Sequence, residues 1–183
     1  IFADGTINSS PLEAGKKPKY TMEISLKVDD FHHLEKFNTF MKYEKNGVKI
    51  QDARCGKVTC KRCRWTITDK HLWETLNNYG CTPRKSLTLK FPDEDIFKSK
   101  DLIRHFIRGY FDGDGCFTRH IYINTVSPSV SFLGTKAFLD KILEYSKIES
   151  NYRHDKRHTE FTWTLEYHKE PGIKLINYMY NNC

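Results

Sequence analysis

Hydrophobic residues alternate with polar ones in several short segments, which predicts β-strands that have one buried and one solvated face. In residues 20–28, Met22, Ile24, Leu26 and Val28 alternate with polar neighbours. Comparable segments lie at 57–68, 117–124, 129–132 and 161–167. In 57–68, Cys63, Trp65 and Ile67 share one face, while Arg62, Arg64 and Thr66 share the other.

Other segments carry hydrophobic residues at every third or fourth position, which predicts amphipathic helices. These helices follow Asp30, lie at 72–79 and 101–112, follow Thr135, and begin near Pro171. Asp30 and Thr135 are residue types that cap a helix N-terminus, and proline suits the first helical turn. Residues 81–99 contain two prolines and are predicted to connect two halves of the chain.

The predicted elements repeat, which indicates an internal duplication. We assign a first repeat at 1–80, a linker at 81–99 and a second repeat at 100–183. Three pairs of short segments match in the same order: Leu34-Glu35-Lys36-Phe37 with Leu139-Asp140-Lys141-Ile142, Trp65-Thr66-Ile67 with Trp163-Thr164-Leu165, and Ala3-Asp4-Gly5 with Gly113-Asp114-Gly115.

Composition narrows the class of protein. The chain has 183 residues, a net charge of +7, 38% hydrophobic residues and 14% aromatic residues, which argues against a disordered chain. No segment approaches the roughly 18 apolar residues of a membrane span. Without a leader and with six scattered cysteines, we expect an intracellular protein (cytoplasmic, nucleoid-associated or organellar) rather than a secreted one. The positive charge permits a nucleic-acid partner.

Two aspartates stand at the end of the helix predicted at 101–112. Asp112 and Asp114 occupy the negative end of the helix dipole, where a carboxylate is unfavourable unless it has a function. Gly109 inside the helix costs about 1 kcal/mol relative to alanine. Asp-Gly-Asp-Gly is also a common turn sequence. The preceding helix and the second copy at Ala3-Asp4-Gly5 favour a site for a hard cation such as Mg²⁺.

Residues 107–115 resemble the motif of the LAGLIDADG homing endonuclease family, and residues 1–5 match the last five places of a second copy. The resemblance implies an α+β fold with two pseudo-symmetric α-β-β-α-β-β-α repeats that form a saddle of antiparallel sheets. The two motif helices would pack together through their glycines, with their last aspartates near the scissile phosphates. Because the first copy begins at Ile1, the N-terminal helix of that repeat is expected to be truncated.

The same resemblance implies a site-specific double-strand DNA endonuclease that hydrolyses phosphodiester bonds with divalent metal ions, most simply Mg²⁺. Asp4 and Asp114 would be catalytic and bind metal, with the main-chain carbonyls of Ala3 and Gly113 as further ligands. Asp112 corresponds to Phe2 in the first copy, so the duplication favours Asp114. One chain carries both repeats, so we expect a monomer with pseudo-twofold symmetry and no membrane partner.

The strands after each aspartate would line the DNA-binding surface, because polar side chains suit base-edge reading and phosphate contacts. The family also uses a basic residue near the active centre, for which Lys27, Lys70 and Lys169 are alternatives. The predicted DNA-binding residues are Thr6, Asn8, Ser25, Lys27, Arg62, Arg64, Thr66, Thr118, His120, Tyr122, Asn124 and Thr164.

Two alternatives remain open from the sequence. The first is an RNA maturase or a non-cleaving DNA-binding regulator on the same scaffold. The second is a zinc-stabilised protein that uses Cys55, Cys60, Cys63 and Cys81. The zinc alternative is less favoured, because Cys63 already faces the predicted core beside Trp65.

Overall fold

The computed structural model describes residues 1–10, 17–43, 47–56, 58–122, 125–154 and 162–181. They belong to two compact units, Ile1–Pro83 and Arg84–Cys183. The boundary between the units falls within the predicted connector 81–99. The repeat limits at 80 and 100 stay a prediction.

The first unit is an antiparallel sheet with two helices. Its strands are ordered β1-β2-β4-β3 in the sheet. Its elements in chain order are β1 (Gly5–Ser9), β2 (Tyr20–Lys27), α1 (Phe31–Met41), β3 (Val48–Cys55), β4 (Val58–Thr68) and α2 (Lys70–Asn78).

The second unit repeats this plan. Its sheet has the order β5-β6-β8-β7, which is the same order as in the first unit. Its elements are α3 (Lys85–Thr88), α4 (Asp101–Asp114), β5 (Gly115–Tyr122), β6 (Thr125–Gly134), α5 (Lys136–Ser146), β7 (Asn151–His154), β8 (Trp163–His168) and α6 (Glu170–Tyr180). From α4 to α6 this is the expected α-β-β-α-β-β-α repeat, so the internal duplication and the α+β class are confirmed.

Each unit buries many of the hydrophobic residues that the alternation and helical spacing predicted, although Tyr79 and Leu102 are exposed. In the first unit, Trp65 is fully buried, contacts Phe37 edge-on and donates a hydrogen bond from Nε1 to Asn38 at 2.8 Å. In the second unit, Thr135 caps α5 by accepting a hydrogen bond from the Phe138 N–H at 3.2 Å. Asp30 stands at the N-cap of α1, but its side chain makes no capping hydrogen bond.

The hydrogen-bond register corrects one part of the sequence overlay. Gly5 pairs with Ile24 and Ile24 with Trp65, whereas Gly115 pairs with Phe132 and Phe132 with Leu165. Trp65 is therefore equivalent to Leu165, and the match of Trp65 with Trp163 was wrong by two residues. Both Trp65 and Leu165 are fully buried. The overlay failed because a shift of two residues keeps every side chain on its own face of the strand.

Two strands lie where the alternation predicted none. β3 and β7 are the last strands in their sheets, each paired on one side only, to β4 and β8. A strand at an edge need not bury a continuous hydrophobic face, so the alternation is weak at 48–55 and absent at 151–154. β5 also departs from its expected half-buried pattern, because Phe117 and Ile121 are 52% and 76% exposed.

The segment before α4 packs into the second unit through an aromatic cluster. The ring of Phe91 lies 5.0 Å from that of Phe106 and 5.4 Å from that of Phe138. In the same segment, Leu89 accepts a hydrogen bond from the Thr135 hydroxyl at 2.6 Å. This part of the predicted linker is thus built into the hydrophobic core.

We expect the substitution Phe91→Ala to lower the free energy of unfolding by about 3–5 kcal/mol, because it leaves a cavity among buried rings. Urea unfolding measures the change. Leu87→Ala is the matched control in the same segment, since Leu87 is 42% exposed and its truncation should cost within about 0.5 kcal/mol. Equal costs for the two variants would contradict the packing described for Phe91.

Candidate functional site

The end of α4 turns directly into β5 at Asp114 and Gly115. The Gly115 N–H donates a hydrogen bond to the carbonyl of Phe111, four residues earlier. A β-carbon at Gly115 would overlap that carbonyl oxygen and the Phe111 ring. The close approach therefore requires glycine after the aspartate, and it places Asp114 at the last position of the helix.

The first unit contains the same junction. The Gly5 N–H donates a hydrogen bond to the Ile1 carbonyl at 3.1 Å, again four residues earlier. A β-carbon at Gly5 would lie 2.6 Å from Ile1 Cα and 2.9 Å from its carbonyl oxygen. Asp4 consequently precedes β1 as Asp114 precedes β5. The match of Ala3-Asp4-Gly5 with Gly113-Asp114-Gly115 therefore has the same steric cause in both units, which is the close approach of the glycine to the residue four positions earlier.

Asp112 and Asp114 have different surroundings although they are two residues apart. The Tyr180 hydroxyl on α6 donates a hydrogen bond to the Asp112 carboxylate. Asp114 is exposed at the helix end and lines a pocket. Asp4 is also exposed. The choice of Asp114 over Asp112 and a metal role for Asp4, Asp114, Ala3 and Gly113 stay predictions.

The pocket beside Asp114 has a volume of about 140 Å³ and lies wholly within the second unit. Burial raises the pKa of the Tyr110 hydroxyl far above its usual value, and the Asp114 carboxylate raises that pKa further. Tyr110 therefore stays protonated and donates a hydrogen bond to the Leu133 carbonyl at 2.7 Å. Lys85 and Thr162 also line the pocket.

Lys85 is a basic residue that the sequence analysis did not consider. It begins the short helix α3 inside the predicted connector, so no motif or strand drew attention to it. Among the predicted alternatives, Lys27 ends β2 and Lys169 is exposed before α6. Lys70 pairs with Glu74 at 3.4 Å on α2. Within the second unit, Lys85 is the lysine that lines the pocket with Asp114.

In the first sheet, seven predicted DNA-binding residues lie on one face. The β1–β2–β4 register aligns Thr6 with Glu23 and Thr66 on this face. Further along the strands it aligns Ser25 with Arg64, and Lys27 with Arg62. The seven residues are Thr6, Asn8, Ser25, Lys27, Arg62, Arg64 and Thr66. We call this surface the first polar face.

In the second sheet, the predicted residues are less uniform. Thr118 is exposed and pairs with Ser129, whereas Thr164 is only 7% exposed and offers little surface to a partner. The backbones of His120 and Tyr122 belong to β5, but the structure does not describe their side chains, and Asn124 lies outside the described residues. Contacts between DNA and these five residues stay a prediction.

The cysteines do not form a zinc site in the part of the chain that the structure describes. No group of three or more His, Cys, Asp or Glu side chains there could hold a metal ion. Cys60 is disulfide-bonded, while Cys63 and Cys81 are buried thiols. The Cys63 Sγ donates a hydrogen bond to the Lys27 carbonyl at 3.0 Å, which agrees with its predicted core position.

Solved structures with a similar fold include several homing endonucleases. I-DmoI in complex with DNA and Mn superposes with a TM-score of 0.63 at 17% identity, covering 100% of this chain and 93% of that one. The LAGLIDADG homing endonuclease I-GzeII in complex with its DNA target gives 0.58 at 14% identity, with 97% and 80% covered. Meganuclease I-SmaMI bound to uncleavable DNA gives 0.61 at 11% identity, with 98% and 80% covered.

The chain has the LAGLIDADG homing endonuclease fold. This confirms the fold that the motif resemblance implied. No protein-family model matches the sequence, and no curated protein matches it. The likeness therefore lies in the backbone fold rather than in overall sequence identity. None of the helices in the described ranges combines the length and apolar character needed to cross a membrane.

Gly109 and Gly115 of the second motif should respond oppositely to alanine. Gly115→Ala should lower the free energy of unfolding by about 1–3 kcal/mol, because the new methyl group overlaps Phe111. Gly109→Ala should raise it by about 0.5–1 kcal/mol, because a β-carbon there meets no atom of its own unit within 4 Å and alanine favours helix. Urea unfolding of both variants measures the difference, and stabilisation by Gly115→Ala would contradict the junction geometry.

Proposed function

We propose that the protein is a site-specific double-strand DNA endonuclease of the homing type, which acts as a monomer and depends on divalent metal ions. The observation that carries this proposal is the repeated junction, which puts one exposed aspartate next to the polar face of a sheet in each unit. A protein that only binds DNA has no need for a carboxylate at the unfavourable helix end that Asp114 occupies. The solved complexes of I-DmoI and I-GzeII with DNA support the choice of partner.

The donor atoms at each junction suit Mg²⁺. Asp4 and Asp114 each offer carboxylate oxygens, and the carbonyls of Ala3 and Gly113 offer neutral oxygens one residue earlier. Mg²⁺ in nucleic-acid enzymes commonly uses one or two carboxylates together with waters and substrate phosphates, so a single aspartate per unit is sufficient. When bound, such an ion would supply activation of water and stabilisation of the leaving oxygen. The Mn in the I-DmoI complex supports a divalent ion.

The remaining roles belong to the chain's own side chains. Lys27 and Arg62, at the end of the first polar face on the Asp4 side of Gly5, would bind phosphates and make affinity depend on salt. The short polar residues Thr6, Asn8, Ser25 and Thr118 would contact base edges. Lys85 would place a positive charge beside Asp114 and the phosphate that reacts there. An intracellular location follows from a DNA substrate.

An RNA maturase or a non-cleaving regulator is the alternative, and no described feature favours it. Affinity for structured intron RNA compared with affinity for duplex DNA separates the maturase from the endonuclease.

Asp4→Asn and Asp114→Asn should each reduce the cleavage rate by about 1,000-fold or more, while duplex affinity changes by less than about threefold. Each substitution keeps the shape of the side chain and removes the charge that holds the cation. The measurement is Mg²⁺-dependent cleavage of a DNA duplex. Its sequence joins the two segments that flank the reading frame, as they would stand in a host gene without the insertion.

Asp112→Asn is the matched control for those two substitutions, because the Asp112 carboxylate is bonded to Tyr180. It should cleave at nearly the wild-type rate. Full activity of Asp114→Asn, or activity that resists a chelator, would contradict the proposed mechanism.

Lys85→Met should lower the cleavage rate by about 100-fold with little change in affinity, because the cation acts next to the reacting phosphate. Lys90→Met is the control, since Lys90 is exposed on the same segment and does not line the pocket. Single-turnover cleavage and duplex affinity are measured for both. If the two variants lose the same amount of activity, the loss reflects total charge, and the local role of Lys85 is wrong.

A further inference from the structure

The first polar face contains an ion pair that the sequence did not predict. Arg64 on β4 contacts the Glu23 carboxylate on β2 through its Nη2. The register places Arg64 opposite Ser25 and Glu23 opposite Thr66, so the guanidinium reaches diagonally across two strands. A glutamate on a DNA-binding surface repels the phosphates. The contact with Arg64 gives Glu23 a different role there, which is to hold the guanidinium in place.

The pair fixes the guanidinium while leaving donors for a ligand. The Arg64 side chain is 39% exposed and that of Glu23 is 24% exposed. Arg64 Nε is buried with no hydrogen-bond partner among the described residues. A guanidinium has five N–H donors, so one bond to Glu23 leaves both hydrogens of Nη1 and the second hydrogen of Nη2. These donors lie in one plane at the tip of the side chain.

The hydrogen-bond donors of the Arg64 guanidinium match the acceptors of guanine. Guanine presents two acceptors, O6 and N7, at its major-groove edge, and a bidentate arginine is the commonest specific contact to it. Because Glu23 already restricts the arginine, less conformational freedom is lost when the base binds.

We propose that Arg64 is a specificity-determining residue that binds a guanine, and that Glu23 is its positioning residue. This inference rests on the proposed function, since it assigns a base to the DNA-binding face of the endonuclease.

The second unit carries no equivalent of this pair. The register makes Thr164 the counterpart of Arg64 and Ser131 the counterpart of Glu23. Thr164 is 7% exposed and has no guanidinium. The guanine contact therefore belongs to the half-site of the first unit alone. The recognised sequence is asymmetric at this position, although the two sheets share one topology.

Selection from a pool of randomised duplexes tests the assignment, with the full chain kept in a metal-free buffer so that bound DNA stays intact. The wild-type chain should select sequences with a guanine at one position of one half-site. Arg64→Gln and Arg64→Met should both lose that preference and keep the others, since glutamine matches adenine and methionine has no hydrogen-bond donor. Replacing the guanine should weaken wild-type binding by about 5- to 150-fold, and should barely affect the two variants.

Two further variants separate the roles of charge and positioning. Glu23→Gln should keep the guanine preference with a smaller ratio between guanine and the other bases. Lys49→Gln is the control, because Lys49 is exposed and aligned with Arg64 on β3, and it should weaken all duplexes alike. Circular dichroism verifies that each variant is folded.

The outcomes distinguish this inference from the proposed function. A wild-type chain that selects no sequence, or binds no duplex, overturns both. A wild-type chain that selects a sequence, with Arg64→Gln and Arg64→Met selecting the same one, overturns only the role of Arg64. An unchanged guanine ratio in Glu23→Gln overturns the positioning role of Glu23.

Discussion

One backbone hydrogen bond, repeated in each unit, determines where the candidate chemistry lies. A glycine N–H bonds to the carbonyl four residues earlier and then begins a strand, at Gly5 with Ile1 and at Gly115 with Phe111. The bond brings the glycine so close to the preceding turn that no β-carbon fits. The residue before it therefore directly precedes the first residues of the strand, after a turn at Asp4 and at the end of α4 at Asp114. In both units that residue is an aspartate.

The position of the aspartate places its carboxylate beside the first strand of each sheet. Since Asp4 and Asp114 directly precede β1 and β5, the carboxylates adjoin the polar ends of those strands. The end of α4 is electrostatically unfavourable for the Asp114 carboxylate, so helix stability alone does not favour an aspartate there. A bound cation would offset this cost. In the first unit, a turn rather than a helix precedes Gly5, so this argument applies to Asp114 alone.

Duplication sets the topology of the two units but not their surfaces. The matching strand orders and the buried Trp65 and Leu165 show that the hydrophobic cores follow one plan. The outward faces differ, with Arg64 and Glu23 in one sheet against Thr164 and Ser131 in the other. A core constrains residue size through packing, whereas an exposed face is free to diverge. Such divergence lets a duplicated protein bind a sequence that is not symmetric.

The sequence predicted most helices and strands, because their periodic patterns reflect burial on one face. It also predicted the equivalence of the two junctions, and the offset between the helices that begin at Phe31 and Lys136. It missed β3 and β7, which are edge strands with little buried surface. It also misaligned Trp65, because strand register depends on pairing between distant segments rather than on local pattern.

Contacts between side chains that are distant in the sequence could likewise not be predicted from it. Lys85 lies far from Asp114 along the chain, and only the fold brings both to one pocket. The bond between Tyr180 and Asp112 needed the packing of two helices. The pair formed by Glu23 and Arg64 needed the exact register of two strands.

The central claim is that Asp4 and Asp114 hold divalent cations while the protein is bound to DNA. Paramagnetic Mn²⁺ tests it most directly, because the ion broadens the amide signals of residues close to it. With an isotope-labelled chain bound to a duplex, we expect broadening centred on residues 3–6 and 113–116. The broadening should weaken when either aspartate is replaced by asparagine and should disappear when both are replaced. Broadening centred elsewhere, or unchanged by both substitutions, would contradict the account.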